Sequence, residues 1–558
     1  MKRWLLLLGG LSGACGGGPG GDDGPGPVGE VIDLDPVKHL VRASMALRGV
    51  RPALAEIERV RADPGALPMI VDGYLDTPEF GETMRDLHNE AVLTRGFSLP
   101  VLDSLDGHTT TEMAESLGEE PLRLIEHVIM SDRPYTEIVT ARFTMADEII
   151  AKVYGVAWTP GGETWQESHY TDGRPEAGIL SSNTFFIRHR SAGSNWHRGR
   201  ANRIASALLC YNFLDRDVTF DGSVNLADPD AVADAVVANP ACASCHQTLD
   251  PLASYLWGYR NQLNIVGLTE YPIIPFYVPG NEGRWRNSSG RPPSYFGQAG
   301  DDLGALAELI AGDPRFSLCA AQRFWSFMAQ VDLEVVPLEL ASRLQQELIA
   351  SGYSAKALAK AVVLSDEFKV AYGTSDEVAD QLVGLKKVRP EQLARLIYDL
   401  TGFRWRTESI ADDRGGPIGL VELAKNDVLG YRVLGGGIDS TDVVEPSHTF
   451  NATSSLFARG FAAEAAGFVV DRDFAQADAA QRKLLGLVSP TETGEAAVRA
   501  QLAWLHARLY AESVAADSAE VDDSYALFAA TLARTGDPSH AWKTTHTAML
   551  QDLRIATY

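Results

Sequence analysis

Cys242-Ala243-Ser244-Cys245-His246 sets two thiols three residues apart and an imidazole directly after the second. The pattern is C-x-x-C-H, the attachment signature of a c-type haem. Each residue type has a chemical reason. The thiols add to the two porphyrin vinyl groups as thioethers, and the adjacent histidine reaches the iron as an axial ligand. Two other chemistries use C-x-x-C: a disulfide in an oxidising compartment, and half of a zinc site. A zinc site needs two further Cys or His ligands at similar short spacing. The chain holds five Cys and 12 His, yet it has no second C-x-x-C and no H-x-x-x-H close behind the first. The motif is therefore read as one covalent haem c, with Cys242 and Cys245 as thioether donors and His246 as iron ligand.

The N-terminus is the right setting for such a cofactor. Lys2 and Arg3 form a positive start, Trp4 to Leu11 a short apolar core, and Ser12-Gly13-Ala14 a small-residue cleavage site. This is an export signal, too short to span a bilayer. Cys15 follows at once, so residues 1–15 read as a lipoprotein-type signal ending at a lipidated Cys15. The usual lipobox has Leu three residues before the Cys; here Leu11 stands four before, and Ser12 takes the expected place. Cleavage after Ala14, giving a free secreted protein, stays open. Residues 16–34 open with GGGPGGDDGPGPVGE, which cannot build a core and suits a flexible tether. The expected location is extracytoplasmic, lipid-anchored on the periplasmic side or the cell surface.

With Cys15 assigned to lipid and two thiols to haem, Cys210 and Cys319 remain. In an oxidising compartment they are expected to pair; the alternative is two separate buried thiols. Among 558 residues, 49 basic and 74 acidic side chains leave a net charge of −25, which argues against nucleic acid and against anionic lipid surfaces as partners. An apolar content of 45% with 22% charged residues is that of a globular protein. Its length exceeds one ordinary core, so about two to four domains are expected.

The periodicity is mostly helical. Leu40, Ala43 and Leu47 share a face; Pro52 reads as a first helical position; Thr77-Pro78-Glu79 reads as a capped start. A single helix is expected over 136–155, ended by Gly155, and then a loop to 178. Further helices are expected at 201–210, 231–237, 301–310, 317–331 and 390–400, the last capped by Gly402, and several after 490. The expectation is a mainly α, multidomain protein: an N-terminal helical domain at 35–178, a mono-haem cytochrome c-like domain at 179–372 and a C-terminal helical domain at 373–558.

Several stretches carry a family likeness. PYTEIVTARFTMADEIIAKVYGV at 134–156, EAGILSS at 176–182 and RGRANRIASALLC at 198–210 are three of them. CASCHQTLDPLASYLWGY at 242–259 and DPRFSLCAAQRFW at 313–325 complete the set, and RASMALRGVRPALAEIERV at 42–60 adds a weaker match. Together they resemble the planctomycete-type cytochrome c families, consecutive secreted domains of unknown function numbered fifteen-forty-nine, fifteen-ninety-two, fifteen-eighty-eight and fifteen-eighty-five. The likeness covers about residues 35–370, with the stretches in the families' order, and is less clear beyond 375. Asp250-Pro251-Leu252 is a feature of those families; the glycine that usually follows is Ala253 here, a change that removes no ligand. The resemblance implies an extracytoplasmic c-type cytochrome and supplies no known reaction.

The second axial ligand decides the chemistry: His plus Met suits electron transfer, whereas an open position admits peroxide or oxygen. Met328 is one candidate, a distal histidine such as His197 another, and an open site the third. Arg188, Arg190, Arg198, Arg200 and Arg203 crowd an acid-free stretch and are candidate partners for the haem propionates; a solvated basic loop is the alternative. Trp257 and Tyr259 read as core aromatics near the haem edge. Asp439 and Asp442, in a glycine turn, offer too few oxygens for calcium. The expected function is one-electron transfer at the cell envelope with an unidentified redox partner. The alternatives are a haem-dependent peroxidase or oxidoreductase with an open distal site, and an envelope interaction protein with a structural haem.

Overall fold

Five helices start in the same way. Asp35, Asp228, Asn239, Asp313 and Asp537 each stand in extended backbone and accept a first-turn N–H on the side-chain oxygen, and a proline follows each. Proline at the first position has no N–H to leave unpaired, and each side-chain cap contributes ~1 kcal/mol. The computed structural model describes residues 30–95, 105, 107–191, 195–215, 224–225, 227–261, 271–374, 384–407, 421–425 and 429–558. The signal, Cys15 and the tether lie outside the described residues. With 60% helix and 6% strand the chain is mainly α, as its periodicity predicts.

The described strands form short antiparallel pairs that act as clasps. Val31–Asp33 pairs with Val370–Gly373, in the register Val31↔Gly373 and Ile32↔Tyr372. Lys386 and Tyr558 exchange backbone hydrogen bonds of 2.8 and 2.9 Å, so the last residues lie against the strand-like stretch before helix Pro390–Thr401. One apolar core is shared by all three stretches delimited above: Leu40 and Leu47, Ile204 and Leu208, Phe324 and Met328, Phe461 and Trp542 all belong to it.

Charged groups cross that core in pairs. Asp86, on helix Pro78–Val92, meets Arg395 of helix Pro390–Thr401 at 2.6 Å and also Arg95. Glu119, on helix Thr110–Met130, meets Arg85 at 2.6 Å. Burial alone would raise both carboxyls, but the surrounding guanidinium groups outweigh it and hold them below the usual range.

Two features differ from the sequence reading. The stretch expected as one helix is helix Glu137–Thr140, strand Thr144–Ala146 and helix Glu148–Tyr154. The strand forms because Gln166–Ser168 returns to pair with it. Gly155 does end the last piece, with φ +69°. Pro52 precedes Ala53, the residue before helix Leu54–Ala62, rather than opening the helix. The other expected helices are present, most of them longer than their apolar stripe.

Buried histidines set the acid response. His88 donates from Nδ1 to the Met84 carbonyl at 2.7 Å and accepts the Tyr135 hydroxyl at 2.8 Å. Burial drives its pKa from 6.5 down to about 4, and burial does the same to His546. Between those values the unfolded chain binds protons that the folded protein refuses. Their contribution is therefore intact above pH 6.5 and is lost as pH falls toward 4, by up to ~3 kcal/mol per group. Glu90 opposes them: burial lifts its carboxyl to about 7 despite Arg389, so its contribution is full below 4.5 and is lost as pH rises through 7. Burial holds His189 and His448 lower still, at about 3, so the histidines outweigh Glu90 and leave a net loss on acidification. Urea midpoints at pH 7.5 and 4.5 are expected to show it, and His88→Gln is expected to flatten the profile; equal midpoints in wild type would contradict it.

Candidate haem-attachment site

Asn239 ends one helix and begins the next. Its backbone N–H bonds the Ala235 carbonyl at 2.9 Å, closing helix Pro229–Ala238. Its side chain accepts Ala241 N–H at 3.0 Å, opening helix Pro240–Ser254. On that second helix Cys242, Cys245, His246 and Leu249 fall at i, i+3, i+4 and i+7, one face by helical geometry. The C-terminal half of the helix, Leu249 to Ser254, is buried, and Ser254 is tied to the Arg291 carbonyl at 2.8 Å. The half that carries the thiols is partly open. Cys242 and Cys245 are free, whereas Cys210 and Cys319 form a disulfide spanning 109 residues.

His246 is oriented from behind. Its Nδ1 lies 3.1 Å from Asp250 Oδ1, one helical turn on. Asp250 is 1% exposed on its side chain and takes a two-point contact from Arg198, Nε at 2.6 Å and Nη2 at 3.0 Å. Burial would raise the Asp250 carboxyl, but hydrogen bonds from His246 and Arg198 outweigh it and hold it below its ordinary range. Asp250 is thus an anion at neutral pH and accepts the Nδ1 proton. That tautomer leaves the lone pair on Nε2, the arrangement found where a histidine holds a metal. Two thiols on the face of the imidazole, and a ring nitrogen freed by a carboxylate behind it, fit a c-type haem. A zinc site would need convergent ligands, and among the described residues no group of three or more His, Cys, Asp or Glu converges.

Comparison with known proteins finds no matching family model, curated protein or solved structure.

The arginine-rich stretch does not act as one group. Arg200 is fully buried and donates to the carbonyls of Phe186 at 2.7 Å, Arg260 at 2.8 Å and Asn261 at 3.1 Å. Arg203 donates to the Ala91 carbonyl at 3.1 Å, and Arg188 to Thr441 Oγ1 at 3.3 Å. Arg190 is exposed. Arg198 bonds a residue of the motif helix, Asp250. Met328 is 1% exposed, near the C-terminal end of helix Pro314–Ala329, where the next carbonyl, Ala329, accepts Lys386 Nζ at 2.7 Å. The principal packing partners of the motif helix are instead helices Pro229–Ala238 and His197–Leu209 and strand Ser294–Tyr295. Tyr259 is a core aromatic, 4.4 Å from Phe186 between ring centroids. Asp439 Oδ1 accepts three backbone N–H groups, from Thr441, Asp442 and Val443, so it caps its own turn.

Asp250 as the partner of His246 was not singled out from the sequence. The signal is there: an acid four residues after a histidine on a helix faces it. Also unforeseen is a knot of side chains beside the motif helix. The rings of Trp196, His197 and Trp257 lie with centroids 4.8 to 5.5 Å apart. Among the buried polar atoms without a hydrogen-bond partner are Asn195 Nδ2, Trp196 Nε1, His197 Nε2 and Trp257 Nε1. A buried donor left unmade costs ~1–3 kcal/mol, so three on neighbouring rings and a fourth on Asn195, the residue before Trp196, call for a reason.

Proposed function

We propose that this chain is an extracytoplasmic mono-haem c-type cytochrome that passes single electrons at the cell envelope. The observation that carries the proposal is the motif helix: Cys242, Cys245 and His246 on one partly open face, with Asp250 and Arg198 fixing the imidazole from behind. Haem bound there supplies a reversible one-electron couple. The residues of the chain do the rest. Cys242 and Cys245 hold the porphyrin edge, and His246 presents Nε2 to the iron. Asp250, by accepting the Nδ1 proton, makes the imidazole a stronger donor and favours the ferric state. Arg198 keeps Asp250 ionised and in place.

The likeness to the planctomycete-type cytochrome c families supports the same reading and points to no substrate. In this proposal Cys15 carries the lipid anchor and residues 16–34 the tether, and the redox partner is a protein of the same membrane system. The described residues contain no helix long and apolar enough to cross a bilayer. The test is a pyridine haemochrome spectrum of the full chain produced with a cytochrome c assembly system. A covalent c-type spectrum is expected, with low-spin six-coordinate iron for an electron carrier. High-spin iron that binds cyanide would turn the reading to a haem oxidoreductase, and no covalent haem would end it.

A further inference from the structure

The four unpartnered nitrogens beside the motif helix are all donors. Indole Nε1 and carboxamide Nδ2 only donate. His197 is settled by its neighbour: Arg200 Nη1 lies 3.1 Å from His197 Nδ1, and a guanidinium only donates, so Nδ1 accepts and the proton sits on Nε2. His197 is 0% exposed, and burial, followed by the charge of Arg200, holds its pKa well below the usual range, so the ring is neutral. Asn195 is 1% exposed and Trp257 is 5% exposed. The cluster also sits at the N-terminal end of helix His197–Leu209, the positive end of its dipole.

The nearby acid cannot serve these donors. Asp250 is taken by Arg198 and His246. A water molecule accepts two hydrogen bonds, whereas a carboxylate offers two oxygens and about four lone-pair sites, one for each donor. The protonated Nε2 also argues against His197 as the distal iron ligand, because ligation needs that nitrogen bare.

We infer that Asn195, Trp196, His197 and Trp257 form an oxyanion pocket, built from neutral N–H donors, that receives a haem propionate. The inference rests on the haem reading above. Haem brings two carboxylates, and a chain of contacts joins the pocket to the attachment point: His197 is followed by Arg198, which holds Asp250, which holds His246. The pocket assigns the task that the sequence reading gave to five arginines to uncharged donors in and near the same segment.

The experiment compares wild type with Trp257→Phe and Trp196→Phe, each of which keeps an aromatic ring and deletes one N–H. All are matured with a cytochrome c assembly system. Haem content is read by pyridine haemochrome, and propionate hydrogen bonding by the propionate bending band in resonance Raman spectra. Equal haem content with a bending band moved to lower frequency in the variants is the expected result. Equal haem content with an unmoved band in both overturns the pocket and leaves the haem reading standing. If wild type holds no covalent haem, the haem reading and the propionate assignment fall together. Titration of that protein with sodium acetate, read by tryptophan fluorescence, then decides the donors: a saturable change lost in Trp257→Phe makes them a site for a free small acid, and no change overturns the pocket altogether.

Discussion

Cys242→Ala/Cys245→Ala, matured beside wild type, is expected to carry no haem after denaturing electrophoresis, while wild type stains for haem in the same gel. The structure says why the effect should be complete and local. Both thiols are free and partly open; Cys245 touches the edge of the core, but the buried residues of their helix are Leu249 to Ser254. The double variant should therefore fold with an unchanged far-ultraviolet spectrum. Each single variant keeps one thioether, and its haemochrome band should shift toward that of a haem with one vinyl group unsaturated. His246→Ala should keep covalent haem but lose the low-spin signature. Asp250→Asn should keep both and raise the midpoint potential, because a neutral amide no longer strengthens the imidazole as a donor; loss of such an orienting partner costs ~10-fold or more in the hold on a metal. Haem retained by the double variant after denaturation would falsify the attachment site.

The second large effect belongs to the Cys210–Cys319 bridge. Cys210→Ala/Cys319→Ala is expected to lower stability by ~4–5 kcal/mol in the chain-entropy picture for a loop of this length. The native contact between the two helices does not depend on sulfur alone. Arg323 holds the end of helix His197–Leu209 through the carbonyls of Ala207 at 3.1 Å and Ser206 at 2.6 Å. The loss should thus come from freeing the unfolded chain rather than from a rearranged fold. Urea titration should show a lower midpoint with an intact native near-ultraviolet spectrum. A change below ~1 kcal/mol would mean that the unfolded chain is already constrained across this stretch.

Much of the fold was legible because local chemistry and tertiary packing agree. Thr77-Pro78 marks a helix start and Gly155 and Gly402 mark ends, as read; the Asp-Pro or Asn-Pro starts at 36, 229, 240, 314 and 538 carry the same signal and were not read. Where they disagree, pattern reading fails. Ile138, Phe143 and Ile149 look like one helical stripe, but Thr144–Ala146 is claimed by a strand more than twenty residues on, which no local period encodes. Helix Ala452–Ala475 escaped notice because its alanines leave little contrast between its faces. At the candidate site, the motif gives the thiols and the imidazole at once. For the arginines, sequence shows charge without burial: Arg200, read as a candidate propionate partner, lies inside the protein among carbonyls.

The placement of the four described cysteines also orders the maturation of the protein. On the haem proposal above, Cys242 and Cys245 in an oxidising compartment would be as ready to join each other as to meet haem, and a reductant would have to reopen them before attachment. The same reductant must spare the bridge whose loop encloses them. Access would shield one end of the bridge: Cys319 is 1% exposed beneath helix His197–Leu209, whereas Cys210 and the motif thiols are half-buried. A chain whose core closes first would hide Cys319 from the reductant; a chain still unfolded would expose all four. On the haem proposal above, oxidative folding would come before haem loading, with the bridge as the checkpoint between the two.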